Sequence, residues 1–318
     1  MNTWVPKLSR ILLHTILISG LALGSVISYG QGGKNLKGPY LGQKPPGLIP
    51  EVFARGIVST EQNEVNSVFS PDGKEFYFSR FSPGKGYTMM FMTEGLDGWT
   101  KPAVAPFSGK YSEVDMFISP DGGELFFISK RPIRSPGPRS DGYQIWVMER
   151  LDQGWAEPRH LGPVINFGSR HLYPSVSRNG NLYFNADRRG FGKGDFFRAE
   201  FKTGGYTKPE NLGKAINTLY DETDALISPD ESFLIFTSVD RPDGFGSGDL
   251  YISFRKNDGS WTKSKNMGET VNTSSSEFCP ILSPDGKYFF FTSRRRGSDD
   301  IYWVSADIIQ EYRSTRIE

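Results

Sequence analysis

Five positions in this 318-residue chain combine reactive side chains with regular spacing. Glu64, Glu113, His171, Glu222 and Glu277 each stand six residues before a serine: Ser70, Ser119, Ser177, Ser228 and Ser283. Further along, at the end of an aromatic run, each unit carries a base: Arg80, Lys130, Arg188, Arg241 and Arg294. Two residues after the first set come Asn66, Asp115, Tyr173, Asp224 and Cys279. If the carrying segments are antiparallel strands, the acids and bases return to one rim and alternate around it. A ligand held over that rim would meet all of these groups. Two carboxyls about 5–5.5 Å apart, or wider, are the equipment for cleaving a glycosidic bond. Glu113, Asp115, Glu222, Asp224 and Glu277 are therefore the candidate catalytic groups. The same acids and bases are equally placed for ion pairs inside each unit, on the order of 0–1 kcal/mol apiece where partly exposed. Because Glu belongs to the repeat, the departures from it carry more information. They are His171 in the third unit, beside Arg170 and Tyr173, and the extra carboxylates Asp115 and Asp224 in the second and fourth.

Other chemistries lack their residues. A single cysteine, Cys279, excludes internal disulfides and any cysteine-cluster metal site. Three histidines, His14, His160 and His171, fall to two if the N-terminus is removed, too few for a three-histidine metal set. There is no Gly-x-Ser-x-Gly elbow. The loop from Asp240 to Asp249 offers Asp240, Asp243 and Asp249 to a calcium ion, but without EF-hand spacing, and it reads as a solvated turn. The basic run Arg294 to Arg296 is followed by Asp299 and Asp300, so it is locally neutralised. With 37 Lys and Arg against 36 Asp and Glu, the net charge of +1 gives no field favouring nucleic acid or an anionic membrane. No cofactor is implied.

The elements that must position these groups are repeats. Val68-Phe-Ser-Pro-Asp-Gly73 recurs as Phe117-Ile-Ser-Pro-Asp-Gly122, Val176-Ser-Arg-Asn-Gly180, Leu226-Ile-Ser-Pro-Asp230 and Ile281-Leu-Ser-Pro-Asp-Gly286. The aligned serines lie 49, 58, 51 and 55 residues apart, a period that belongs to repeat folds. After each turn comes an aromatic strand such as Glu75-Phe-Tyr-Phe-Ser79 or Tyr288-Phe-Phe-Phe-Thr-Ser293, then a Gly/Pro loop and a third strand such as Tyr143-Gln-Ile-Trp-Val. Four units add an aromatic-led segment at Trp99, Trp155, Tyr206 and Trp261. Proline presets the turn, Asp and Gly accept the reversal, and Phe, Tyr, Val and Ile suit a buried sheet. The aromatic content of 14% and the 36 Gly are distributed accordingly. Five four-stranded units predict an all-β, five-bladed β-propeller over residues 51–305. The fifth unit lacks a fourth strand after Ser305, while Val52 to Thr60 has the matching shape. This N-terminal strand is expected to complete the last blade and close the ring, leaving no open edge.

Repeated Ser-Pro-Asp-Gly-Lys, an aromatic strand, Ser/Thr-x-Arg and Asp-Ile-Tyr together resemble the WD40-like repeat of TolB-type propellers. The resemblance covers the propeller only, without a segment matching the TolB N-terminal domain. It implies a binding or protein-interaction module, since that repeat serves interaction proteins, peptidase propeller domains and some lyases. The expected partner is a glycan, a peptide or an envelope protein, held over the rim at Glu64, Arg80, Glu113, Asp115, Lys130, His171, Tyr173, Arg188, Glu222, Asp224, Arg241, Glu277 and Arg294. The alternative is a glycan-active enzyme, a glycoside hydrolase or polysaccharide lyase using the rim carboxylates.

Ahead of the repeats, Lys7 and Arg10 precede an apolar run from Ile11 to Ile27, and small residues follow at Ser28 and Gly30. This is the layout of a secretory signal, expected over residues 1–30, with an uncleaved anchor as the rival reading. The run is short for a span of about 20 residues. No cysteine follows it for lipid attachment. The expectation is therefore a periplasmic or secreted monomer with no stable membrane span, a Pro/Gly-rich tether over 31–50 and a tail over 306–318.

Overall fold

The computed structural model describes residues 36–134, 136–187 and 192–314. Each repeat forms one antiparallel blade, because its aromatic strands alternate sides at period two and both sides find a buried neighbour. Blade 1 comprises Asn63–Phe69, Glu75–Ser82, Gly86–Gly95 and the two-residue Ala103–Val104. Blade 2 comprises Glu113–Ile118, Glu124–Ser129, Gln144–Glu149 and Arg159–His160. Blade 3 comprises His171–Val176, Leu182–Ala186, Asp195–Ala199 and Glu210–Asn211. Blade 4 comprises Asp221–Ile227, Phe233–Val239, Gly248–Phe254 and Lys265–Asn266. Blade 5 has Glu277–Leu282, Tyr288–Ser293 and Asp300–Ser305, and takes its fourth strand, Glu51–Val52, from the other end of the chain. Glu51 lies opposite Trp303 and Val52 opposite Tyr302. The ring is an all-β, five-bladed propeller latched by its N-terminal strand.

The turns show why the repeat is written as it is. Ser70 Oγ donates to Asp72 at 2.6 Å and accepts the Glu75 N–H at 2.9 Å, pinning both arms of the hairpin. The same pair of bonds recurs at Ser119, Ser228 and Ser283. In blade 3, Asn179 replaces the aspartate, and Ser177 bonds Glu231 of blade 4 instead.

The fourth strands are short because side chains extend them. Asn166, Asn217 and Asn272 each accept an N–H from, and donate to a C=O of, the third strand of their own blade, at 2.7–3.0 Å. In blade 5, Ser59 takes this place against Ile301. Phe53, fully buried, then packs on Phe69 and Phe76 of blade 1 and on Phe290 and Trp303 of blade 5.

Successive blades approach closely where their third strands begin. A Cβ on Gly142 would collide with the Ser169 carbonyl, and one on Gly246 with the Ser275 carbonyl. Within the Pro/Gly-rich stretch, Leu41 is buried and Tyr40 sits among Phe69, Tyr288 and Trp303, while Leu48 and Ile49 are exposed. At the other end, the helix Ile308–Ser314 buries Ile308 and Ile309. The expected signal over 1–30 lies outside the described residues. Among those described, no helix is long and apolar enough to cross a membrane.

Candidate ligand site at the channel

The rim residues are brought together as a repeated structural frame. Glu64, Glu113, His171, Glu222 and Glu277 are each the first or second residue of a first strand, and all are fully buried. Three of the glutamates are gripped by the threonine four residues earlier, through both its N–H and its hydroxyl: Thr60 for Glu64, Thr218 for Glu222 and Thr273 for Glu277. A serine at the end of the second strand donates to Glu113, Glu222 and Glu277.

The bases depart from the expected pairing. Arg80 lies directly opposite Glu64 and bonds it at 2.9 Å. In blades 2 and 5 the partner is Arg131 or Arg295 rather than Lys130 or Arg294. In those blades a serine occupies the register position of Arg80, so the chain has turned by the time the base appears. The guanidinium one residue further on then folds back over Ser129 or Ser293 to the carboxylate. Arg294 bonds Asp299 at 2.6 Å, and Lys130 lies over the Tyr143 ring. Glu222 has no cation within ion-pair range among the described residues. Arg241 stacks on Tyr251 at 3.9 Å and pairs with Asp243. Burial, opposed by the Thr218 and Ser238 bonds, raises the Glu222 carboxyl above its ordinary range. Arg188 lies outside the described residues.

His171 replaces glutamate without taking up its ion pair. Its Nε2 accepts the Gly168 N–H at 3.3 Å, and the ring packs on Phe167 and Phe184. Burial pushes its pKa down to about 4, so the ring is neutral at physiological pH.

Two residues inward, a second ring lies closer to the axis. Asn66, Asp115, Tyr173, Asp224 and Cys279 all adopt left-handed backbone, with φ between 47° and 58°. Each sits at a bulge where the first-strand register shifts. Such a conformation costs on the order of 1–3 kcal/mol for an ordinary residue and less for Asn or Asp. The kink turns these side chains into links between blades. Asn66 binds Met116 N–H and C=O of blade 2 at 2.8 and 3.3 Å. Asp115 accepts the Tyr173 N–H of blade 3 at 3.2 Å, and Asp224 accepts the Cys279 N–H of blade 5 at 3.3 Å. Tyr173 spans from blade 3 to blade 5, where its hydroxyl donates to the Pro280 carbonyl at 2.7 Å. The Tyr173 side chain thus links blades 3 and 5 across the ring at this level.

Asp115 and Asp224 are the unusual members. Both are buried, they belong to non-adjacent blades, and neither meets a cation within ion-pair range among the described residues. Burial foremost, with repulsion from Asp224, holds the Asp115 carboxyl well above its ordinary range. Burial raises Asp224 to about 6, partly offset by the Cys279 N–H and by Arg170. Burial and both carboxylates also push the Cys279 thiol upward, so it is not a thiolate nucleophile. Among the described residues no group of three His, Cys, Asp or Glu side chains is placed to hold a metal ion.

No protein-family model matches this sequence, and no curated protein matches it. Solved structures do. TolB from Acinetobacter baumannii aligns with a TM-score of 0.50 at 17% identity, over 79% of this chain and 54% of that one. The fold is a TolB-like β-propeller. The chain spans about half the length of that TolB. A glycoside hydrolase aligns with a TM-score of 0.54 at 11% identity, over 84% of this chain and 93% of the other. The α-L-arabinofuranosidase of Podospora anserina, in complex with cellotriose, aligns at 0.50 and 13%, over 81% and 93%. At these identities the likeness is one of fold, which TolB and glycoside hydrolases share.

On this TolB-like propeller, the wall above the Asp115–Asp224 floor contains residues the sequence reading passed over. Tyr87 and Tyr143 open the third strands of blades 1 and 2, and Ser112 joins them, accepting the Tyr87 N–H at 3.0 Å and bonding the Tyr143 hydroxyl at 2.7 Å. Burial foremost, with the Asp115 charge adding to it, raises the pKa of both tyrosines. The signal was available: a third strand runs parallel to the first, so its opening residue stands at the same rim.

Proposed function

We propose that this TolB-like propeller is an exported binding module that holds a glycan in a well at the channel mouth, on the face bearing the Glu/Arg rim. The observation that carries the reading is the Asp115–Asp224 pair, two buried carboxyls without a cation, in left-handed backbone, at the two positions where acids depart from the repeat. Buried carboxyls of this kind do little for stability, and a site that accepts strain and desolvation is the expected place for function. A protonated carboxyl donates and an ionised one accepts, which suits a hydroxyl-rich ligand. Tyr87 and Tyr143 supply the flat walls. The rim glutamates serve this site at one remove, by fixing strand ends and arginines. Export rests on the N-terminal signal pattern.

A second reading, hydrolysis or lysis of a glycan, is favoured by the same pair. A general acid beside a base or nucleophile needs two neighbouring carboxyls in different protonation states, and burial raises the pKa of both of these. Asp115 and Asp224 would then hold those roles. Exposing the protein to an oligosaccharide library, with thermal shift and product formation read together, tests both. Stabilisation by a glycan without turnover, abolished by Asp115→Asn, supports binding. Turnover lost in Asp115→Asn or Asp224→Asn with the fold intact supports catalysis. A response to glycan indifferent to both substitutions overturns the site.

A further inference from the structure

The seam between blades 1 and 2 holds a groove of about 760 Å³, running from Glu75 and Trp155 at one end to Lys110, Tyr111 and Arg131 at the other. Its wall is aromatic, with Tyr77, Phe91, Phe107 and Trp155 along it. Trp155 is a fixed platform. Its indole donates to the Tyr77 hydroxyl at 3.0 Å, and one face is covered by Arg150 at 3.7 Å, itself held by Glu75 through two bonds of 2.8 and 3.1 Å.

The other end is cationic. Lys110, Arg131 and Arg139 all lie over the Tyr111 ring, at 5.4, 5.8 and 5.6 Å. Arg131 is committed to Glu113. Lys110 and Arg139 are exposed, and neither has a carboxylate in ion-pair range among the described residues. Nearby Trp146 also lines the groove. It is 5% exposed, and its indole N–H, itself buried, has no acceptor among the described residues.

We infer that this seam is a second binding site, for an acidic oligosaccharide whose rings lie along the aromatic wall and whose carboxylates meet Lys110 and Arg139. The lining is richest in rings and cations; its acids are Glu75, which is paired with Arg150, and Glu157. The site is separate from the channel well and does not depend on the reading proposed for it.

Calorimetry with tetragalacturonate, cellotetraose and poly-glutamate tests the inference on the whole protein. Tetragalacturonate binds, with affinity falling as salt is raised, and cellotetraose binds more weakly. The double variant Lys110→Ala/Arg139→Ala, which alters only exposed side chains, loses about tenfold in affinity. Asp115→Asn changes nothing at this site. Absence of tetragalacturonate binding, affinity unmoved by the double variant, or equal binding of poly-glutamate overturns the inference.

Discussion

Replacing Asp224 by asparagine tests whether the channel carboxyls strain the fold. Asp224 is 9% exposed, sits at φ 56° and titrates near 6, against about 4 for an unperturbed aspartate. A folded-state pKa raised above the unfolded value means that the native state binds the extra proton between those two values. Stability is therefore fullest below about pH 4, falls as pH rises towards about 6, and is lowest above it. Two units correspond to about 3 kcal/mol of destabilisation at neutral pH. Asparagine carries no charge, tolerates left-handed backbone and retains an oxygen for the Cys279 N–H. Asp224→Asn should accordingly be more stable than the native protein by about 3 kcal/mol at pH 7.5 and nearly equal to it near pH 4. Asp115→Asn should behave similarly. Because each charge burdens the other, the double variant gains less than the sum. Urea unfolding across this pH range measures all of it, with an unchanged m-value certifying that only stability has moved. If Asp224→Asn is destabilising at pH 7.5, or keeps the native pH slope, the carboxyl is compensated and the reasoning fails.

Glu277→Ala leaves Arg295, Ser293 and Thr273 without their shared acceptor and should cost about 3–5 kcal/mol in urea, whereas Glu277→Gln should recover a large part of that. Phe53→Ala opens a cavity between the first and last blades and should cost about 3–5 kcal/mol by the same measurement, a much smaller effect marking the latch as dispensable. His171 has a pKa depressed to about 4, so its contribution is full above about 6.5 and is lost as pH falls towards 4, opposite in sign to Asp224. His171→Gln should flatten the acid limb of the stability profile by up to one proton, and an unaltered limb would mean that the ring titrates normally.

The fold was legible because the repeat records local needs. Ser70, Asp72 and their counterparts hold hairpins, and the Asn-Thr pairs at 217–218 and 272–273 each do two jobs: the asparagine bridges the third strand while the threonine grips the next glutamate. The latch followed from counting strands. The rim pairing was legible only in part, since Arg80 lies in strand register whereas Arg131 and Arg295 act from beyond the strand end, where alternation no longer applies. The Ser-x-Arg spacing in Ser129-Lys-Arg131 and Ser293-Arg-Arg295 carried that signal. Positions Asp115 and Asp224 were visible as departures from the repeat, but their left-handed kink was not, because nothing in a local run of strand formers announces a bulge. The seam groove was invisible to a reading along the chain: its wall joins Tyr77 and Phe91 of one blade to Trp146 and Trp155 of the next.

The central claim is that ligand meets Asp115 and Asp224 in the well, while the rim glutamates hold the frame. Calorimetric affinity of a glycan that stabilises the protein, compared among Asp115→Asn, Asp224→Asn, Glu113→Gln and Glu277→Gln, tests it most directly. The account predicts a loss of tenfold or more, about 1.4 kcal/mol or greater, in both aspartate variants, and near-native affinity in both folded glutamate variants. Native affinity in the aspartate variants with loss confined to the glutamate variants would contradict it.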